Sequence, residues 1–138
     1  MDIDLKKIIS ITCHNSLYLL LKTLPNAILV ESLDAKRIKS VKNFTRNKIT
    51  SLRDISVYAK TNEKNIALSD VISGFYTKFN SKIDESLFDN PDKMRHLMAQ
   101  IAPNYDFDRV GLRDIRKIIG WYNTLLVYQP QIFIVSGD

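Results

Sequence analysis

The feature that most constrains this chain is a change of hydrophobic period near residue 62. Downstream of it, Leu68, Val71, Ile72, Phe75, Tyr76 and Phe79 recur at helical spacing, which predicts an amphipathic helix over 68–79. Gly74 inside that stripe costs about 1 kcal/mol against alanine, too little to break it. Asn90-Pro91 then supplies a capping side chain with proline at the first helical position. Met94, Leu97, Met98 and Ile101 line one face until Pro103 stops the helix. A third stripe of Leu112, Ile115, Ile118, Ile119, Tyr122, Leu125 and Leu126 predicts a helix over about 112–128.

Upstream the pattern is shorter and strand-like. Asp4 is placed to cap a short helical turn at Leu5–Ile9. The apolar run Leu17–Leu21, the Pro25-Asn26 turn and the run Ala27–Leu33 read as a β-hairpin. Asp34-Ala35 turns the chain into Arg37–Val41, which alternates polar and apolar as a half-exposed strand does. Residues 43–48 read as a polar, basic loop, Ile49–Asp54 as a helical turn, and Ile55–Ala59 as another strand. Four or five short strands with exposed edges favour closure. The expected fold is α+β: a small SH3-like or Sm-like β-barrel followed by a short three-helix bundle. The polar stretch 61–65 marks the expected boundary between a basic β-rich domain, 1–62, and a helical domain, 63–138, which ends in an apolar tail at 131–135.

Charge divides at the same place. Residues 1–62 carry eleven Lys/Arg against five Asp/Glu, whereas residues 63–138 carry nine against ten. Lys36, Arg37, Lys39, Lys42, Arg46, Lys48 and Arg53 follow one another with no acid between them. Phosphate contacts need only well-placed Lys and Arg, and Tyr18 and Tyr58 could add stacking surfaces. A solvated face that discourages edge pairing gives the same residues, as does compositional drift toward Lys, Ile and Asn. These seven are the candidate nucleic-acid-binding residues.

Motifs for catalysis are missing. Zinc needs three or four converging ligands, but Cys13 and His14 are neighbours and His96 is the one other imidazole. Cys13 with a histidine has the residue types of a nucleophile–base pair without a supporting motif. The four glycines form neither GxGxxG nor a phosphate-binding loop. Asp106 and Asp108 could flank a reacting bond or hold a cation; the simpler reading is local pairing with Arg109 ahead of the last helix. We expect no enzyme activity, no cofactor and no metal. The lone cysteine, the acidic start and apolar runs well short of the ~20 residues of a membrane helix point to a cytoplasmic protein with no membrane partner.

Four collinear segments carry a family resemblance: Asp4–Ile11, Val30–Arg37, Ser51–Tyr58 and Asp106–Asn123. They resemble a family of uncharacterised proteins widespread in Bacteroidota, a domain of unknown function with a β N-terminal part and a helical C-terminal part. The resemblance spans residues 4 to 128, supports the two-part division and implies no activity or site residue. The chain departs from the family pattern in two places. Thr12–Ser16 stands where the family has a glycine- and proline-containing turn, and Arg113 and Gly120 replace a capping serine and a better helix former.

Two functions fit these residues. One is a nucleic-acid-associated module that presents the seven basic residues of the barrel to RNA or DNA. The other is a protein-interaction adaptor, or a self-associating one, using Trp121 and Phe133 of the helical part and tail; two neighbours such as Trp121 and Tyr122 cannot both face one core.

Overall fold

A computed structural model describes residues 3–14 and 16–134. Val135 of the apolar tail lies outside the described residues. The fold is α+β, with a five-stranded antiparallel sheet, a two-stranded ribbon and three α-helices.

The strands β1 (Ile8–Ile11), β2 (Leu17–Leu24), β3 (Ala27–Ser32), β4 (Lys39–Asn43) and β5 (Ile49–Ser51) lie in the order β4-β3-β2-β1-β5. The hairpin of β2 and β3 turns at Pro25-Asn26 as its sequence predicts, with Leu24 opposite Ala27. β1 corrects the expected helical turn. Asp4 Oδ1 does accept the Lys6 amide, at 2.9 Å, but Ile8–Ile11 then pairs on both sides, Ile9 lying opposite Tyr18 and Ser51. Three isoleucines in four residues suit strand or helix equally; two flanking ladders decide for strand.

The sheet is open rather than a closed barrel. β4 pairs only with β3, β5 pairs only with β1, and no ladder joins β4 to β5 among the described residues. β5 is three residues long before the chain enters a 3-10 turn at Leu52–Asp54, so it offers few backbone groups for a closing seam. Alternation gives the sheet two apolar faces. Ile8 and Leu17 point to the helices, whereas Ile9, Ile11, Ile28 and Val30 form a second buried cluster on the other face with Tyr18, Leu20 and Ile49.

β6 (Ser56–Val57) and β7 (Ile66–Ala67) form the ribbon, and Ala59 bridges to Tyr105. Position 62 therefore falls inside the β6–β7 connection. One continuous cluster of buried side chains crosses it, joining Leu5, Ile8, Leu17, Leu33, Leu52 and Val57 to Leu68, Ile72, Phe75, Met98, Ile115 and Tyr122.

The helices α1 (Leu68–Phe79), α2 (Pro91–Ile101) and α3 (Leu112–Tyr128) follow their hydrophobic stripes. Asn90 Oδ1 accepts the Lys93 amide at 3.1 Å and caps α2. At Gly74 a Cβ would lie 2.6 Å from Ile101 Cγ2, so the glycine permits α1 to approach α2. The start of α3 is at Gly111, whose amide donates to Asp114 Oδ2 at 3.1 Å. Arg113 is the second helical residue and occupies no capping position. Buried Asn123 holds the segment between α1 and α2, accepting the Ile83 amide at 2.8 Å and donating to the Ile83 carbonyl at 2.9 Å. Tyr122 donates to the Ser81 carbonyl at 2.9 Å, and burial pushes its phenol up to about 12.

The described part of the tail docks on the body. Pro130–Phe133 forms a 3-10 turn, and Phe133 is buried, stacked on Tyr76 with ring centroids 4.5 Å apart and edge-on to Tyr122 at 5.9 Å. Among the described residues, no helix is long and apolar enough to cross a membrane.

Candidate functional site

The seven basic residues expected to act together are distributed around the sheet. Lys36 and Arg37 stand in the turn between β3 and β4. There the Asp34 carboxylate accepts both amides, at 2.9 and 3.0 Å, and the Ser32 hydroxyl at 3.0 Å. The Arg37 amide above all, with the Ser32 hydroxyl and the Lys36 amide, holds that carboxyl below its ordinary range. The Arg37 backbone is left-handed, with φ 52°. Its guanidinium donates to Glu31 Oε1 at 3.3 Å and to the Tyr128 carbonyl at the end of α3. Arg37 thus ties the sheet to a helix C-terminus, where a cation is favoured.

Strand alternation separates the next two. Lys39 lies opposite Glu31 on the helix-facing side, while Lys42 lies on the other face with its ammonium 5.6 Å from the Tyr18 ring centroid. Arg46 and Lys48 occupy the turn between β4 and β5, and the Lys48 carbonyl accepts the Thr12 amide at 3.0 Å. Arg53 pairs with Asp54 at 3.4 Å, both side chains more than half exposed. An exposed pair of this kind contributes about 0–1 kcal/mol. The two partner-surface candidates also part. Phe133 is a core residue, which removes it from any docking surface, and Trp121 is half-buried against the main core.

A second set of cations does gather. Between α3 and the end of β1 lies a cleft of about 610 Å³, within the size range of small-ligand sites. Arg113, Arg116, Lys117, Gly120, Trp121 and Thr124 line its helical wall. They recur at i, i+3, i+4, i+7, i+8 and i+11, a stripe beside the one that α3 buries in the core. Ser10–His14 form the opposite wall, and Glu85 and Phe88, from a 3-10 turn at Glu85–Asp89, close one side. Arg116 Nη2 donates to the Phe88 carbonyl at 3.3 Å, with its guanidinium 5.3 Å from that ring. Lys117 Nζ stands 5.9 Å from the Trp121 ring centroid. A Cβ at Gly120 would meet nothing within 4 Å, so the space beside this glycine is open.

The β1–β2 turn shapes the opposite wall. Cys13 adopts φ 71°, a left-handed conformation that costs an L-residue about 1–2 kcal/mol and a glycine almost nothing. His14 donates its amide to Ile11 at 3.0 Å, and its Nδ1 lies 3.0 Å from the Tyr18 hydroxyl. The cleft lining carries three permanent cations against one carboxylate, Glu85, with hydroxyls from Ser10, Thr12 and Thr124. Such a wall favours a polyanion or phosphate ester over a cation.

The paired carboxylates serve the chain itself. Asp106 accepts the Arg109 side chain at 2.7 Å and the Asp108 and Arg109 amides at 2.9 and 3.2 Å. The Arg109 guanidinium above all holds the Asp106 carboxyl below its ordinary range. Arg109 also donates to the Ala59 carbonyl at 2.9 Å, fixing the approach to α3. Among the described residues, no three of His, Cys, Asp and Glu come together as a metal site would require.

Residues 55–125 match the family model described as Domain of unknown function (DUF6852). The chain belongs to that family. It is an uncharacterised, Bacteroidota-type family, as the four segments of resemblance imply. The matched span opens at β6 and contains the helical wall of the cleft but not the Ser10–His14 wall. A solution NMR structure from Bacteroides vulgatus is similar over 92% of this chain and 89% of its own, with 32% identity and a TM-score of 0.68. No curated protein matches the chain.

The α3 stripe is the feature that sequence reasoning missed. Its signal is present: three cations, a small residue and an indole at helical spacing, one step around from the apolar stripe. Dispersal over twelve positions hides it, whereas the basic run at 36–53 is conspicuous because its members are near neighbours.

Proposed function

We propose that this protein is a non-enzymatic, cytoplasmic binding protein for single-stranded nucleic acid, held in the cleft between α3 and the β1–β2 turn. The observation that carries the reading is the stripe of Arg113, Arg116 and Lys117 running into Trp121 across from a hydroxyl-bearing turn. Cations that track phosphates beside an aromatic surface on which a base can stack are what single-strand binders use. The Lys48 backbone adjoins the opposite wall, its carbonyl accepting the Thr12 amide. Lys42, Arg46 and Lys48 remain candidate contacts, whereas Arg37 has a structural partner at each end of its guanidinium. An SH3-like, barrel-like curl of the sheet belongs to the same reading. Its support is the cluster of Ile9, Ile11, Ile28 and Val30, buried on the face that no helix residue joins.

Trp121 is the chain's one tryptophan, so its emission reports on the site directly. Titration with short RNA and DNA oligonucleotides should quench it, and affinity should fall with salt at a log–log slope of about −2 for three neutralised phosphates. Gly120→Leu should block binding while leaving every cation in place. Unchanged emission and anisotropy with both RNA and DNA at low salt would refute the reading.

A further inference from the structure

We propose that β4 is a self-association edge, and that two copies of this chain pair their β4 strands antiparallel about a two-fold axis at Val41. This surface is separate from the cleft and does not rest on the nucleic-acid reading. Sheet order leaves β4 with β3 on one side and nothing on the other among the described residues. The Ile38 carbonyl accepts the Ser32 amide at 2.9 Å, and the Phe44 amide donates to the Asn26 carbonyl at 3.1 Å. Even-numbered residues of this strand therefore turn their backbone groups toward β3. In an antiparallel ladder the odd-numbered ones, Lys39, Val41 and Asn43, turn theirs outward. That row of donors and acceptors is a template for another strand.

The residues along the edge match themselves. Two-fold pairing at Val41 sets Val41 against its own copy, Ser40 against Lys42, Lys39 against Asn43 and Ile38 against Phe44. Ile38, Val41 and Phe44 are 57%, 60% and 50% exposed in the single chain. Each would meet an apolar partner, and no lysine would face a lysine. Neighbouring registers fare worse. Centring on Lys39 or Lys42 opposes two ammonium groups directly, and centring on Ser40 sets both Ile38 and Val41 against lysines. Facing pairs decide strand register in this way. The Val41 pair would exchange two backbone hydrogen bonds, with Lys39 and Asn43 adding bonds on either side. The Asn43 carbonyl already accepts Asn47 Nδ2 at 2.9 Å and keeps one lone pair for the partner. The interface is isologous and closes at two copies.

Sedimentation equilibrium of the full chain over a range of concentrations tests the pairing. The expected result is a monomer–dimer equilibrium that salt strengthens, because screening relieves the repulsion between two basic sheets. Val41→Pro removes the outward amide and no bond to β3, since proline is tolerated on an edge. It should weaken dimerisation about tenfold or more with an unchanged circular-dichroism spectrum. Val41→Lys, the second variant, opposes two ammonium groups at the axis and should also dissociate the dimer, with partial recovery at high salt. A wild-type mass of one chain at every concentration would overturn the proposal. So would a dimer that both variants leave intact.

Discussion

The basic residues of β4 and its flanking turns and those of α3 are the same kinds of side chain put to different use. Along β4 each step turns to the opposite face, so Lys39 and Lys42 leave on different sides of the sheet and Arg37 is drawn to the end of α3. Along α3 a spacing of three or four returns each residue to the same face, and Arg113, Arg116 and Lys117 meet over one cleft. Density of charge in sequence is thus a poor guide to density of charge in space. Period is the better guide.

Reversing charge in each region should break the symmetry most strongly. Arg116→Glu with Lys117→Glu should lower affinity for a single-stranded oligonucleotide about a hundredfold at low salt, roughly 2.7 kcal/mol. Lys36→Glu with Lys39→Glu should change it less than about threefold. Equal losses from both pairs, measured by anisotropy, would return the site to the β4 region.

Stability should show the reverse order. Arg37→Ala removes charge-assisted bonds to Glu31 and the Tyr128 carbonyl, and should cost about 2 kcal/mol in chemical denaturation. Arg113→Ala, exposed in the first turn of α3, should stay within about 0.5 kcal/mol of wild type.

The two helix glycines sharpen the contrast between a packed helix face and an open one. Gly74→Ala forces a methyl group against Ile101 Cγ2 and should destabilise by about 1 kcal/mol or more. Gly120→Ala meets nothing and should stabilise by up to about 1 kcal/mol. Thermal melts of the pair should move in opposite directions.

The smallest effect is a pH dependence at the β3–β4 turn. The Asp34 carboxyl has a lowered folded pKa because it accepts the Arg37 amide, the Ser32 hydroxyl and the Lys36 amide. Its contribution is present above the ordinary carboxylate range and is lost as pH falls through the lowered folded value. Asp34→Asn should therefore melt below wild type at neutral pH, and the two curves should begin to converge as pH enters the ordinary carboxylate range and meet below the lowered folded value.

Much of the fold was legible in the sequence. The stripes of α1, α2 and α3, the Asn90 cap and the β2–β3 hairpin stand where spacing predicts. Two segments were misread for a common reason. Leu5–Ile9 and Ile49–Asp54 were expected as helical turns, but Ile8–Ile11 and Ile49–Ser51 are short and mix isoleucine with polar residues, so local pattern does not fix their form. Pairing of β1 with β2 and β5 makes both of them strands, and the stacking of Phe133 on Tyr76 docks the apolar tail as a core turn.

The sequence by itself determined the helices, the hairpin, the α+β class and the family, because periodicity and turn chemistry act between residues a few positions apart. Only the tertiary structure decided which cations stand together. That choice depends on α3 packing across the sheet so that its second stripe faces Ser10–His14, about a hundred positions earlier in the chain. It also decided that the sheet stays open at β4, since an edge is defined by the strand that does not arrive.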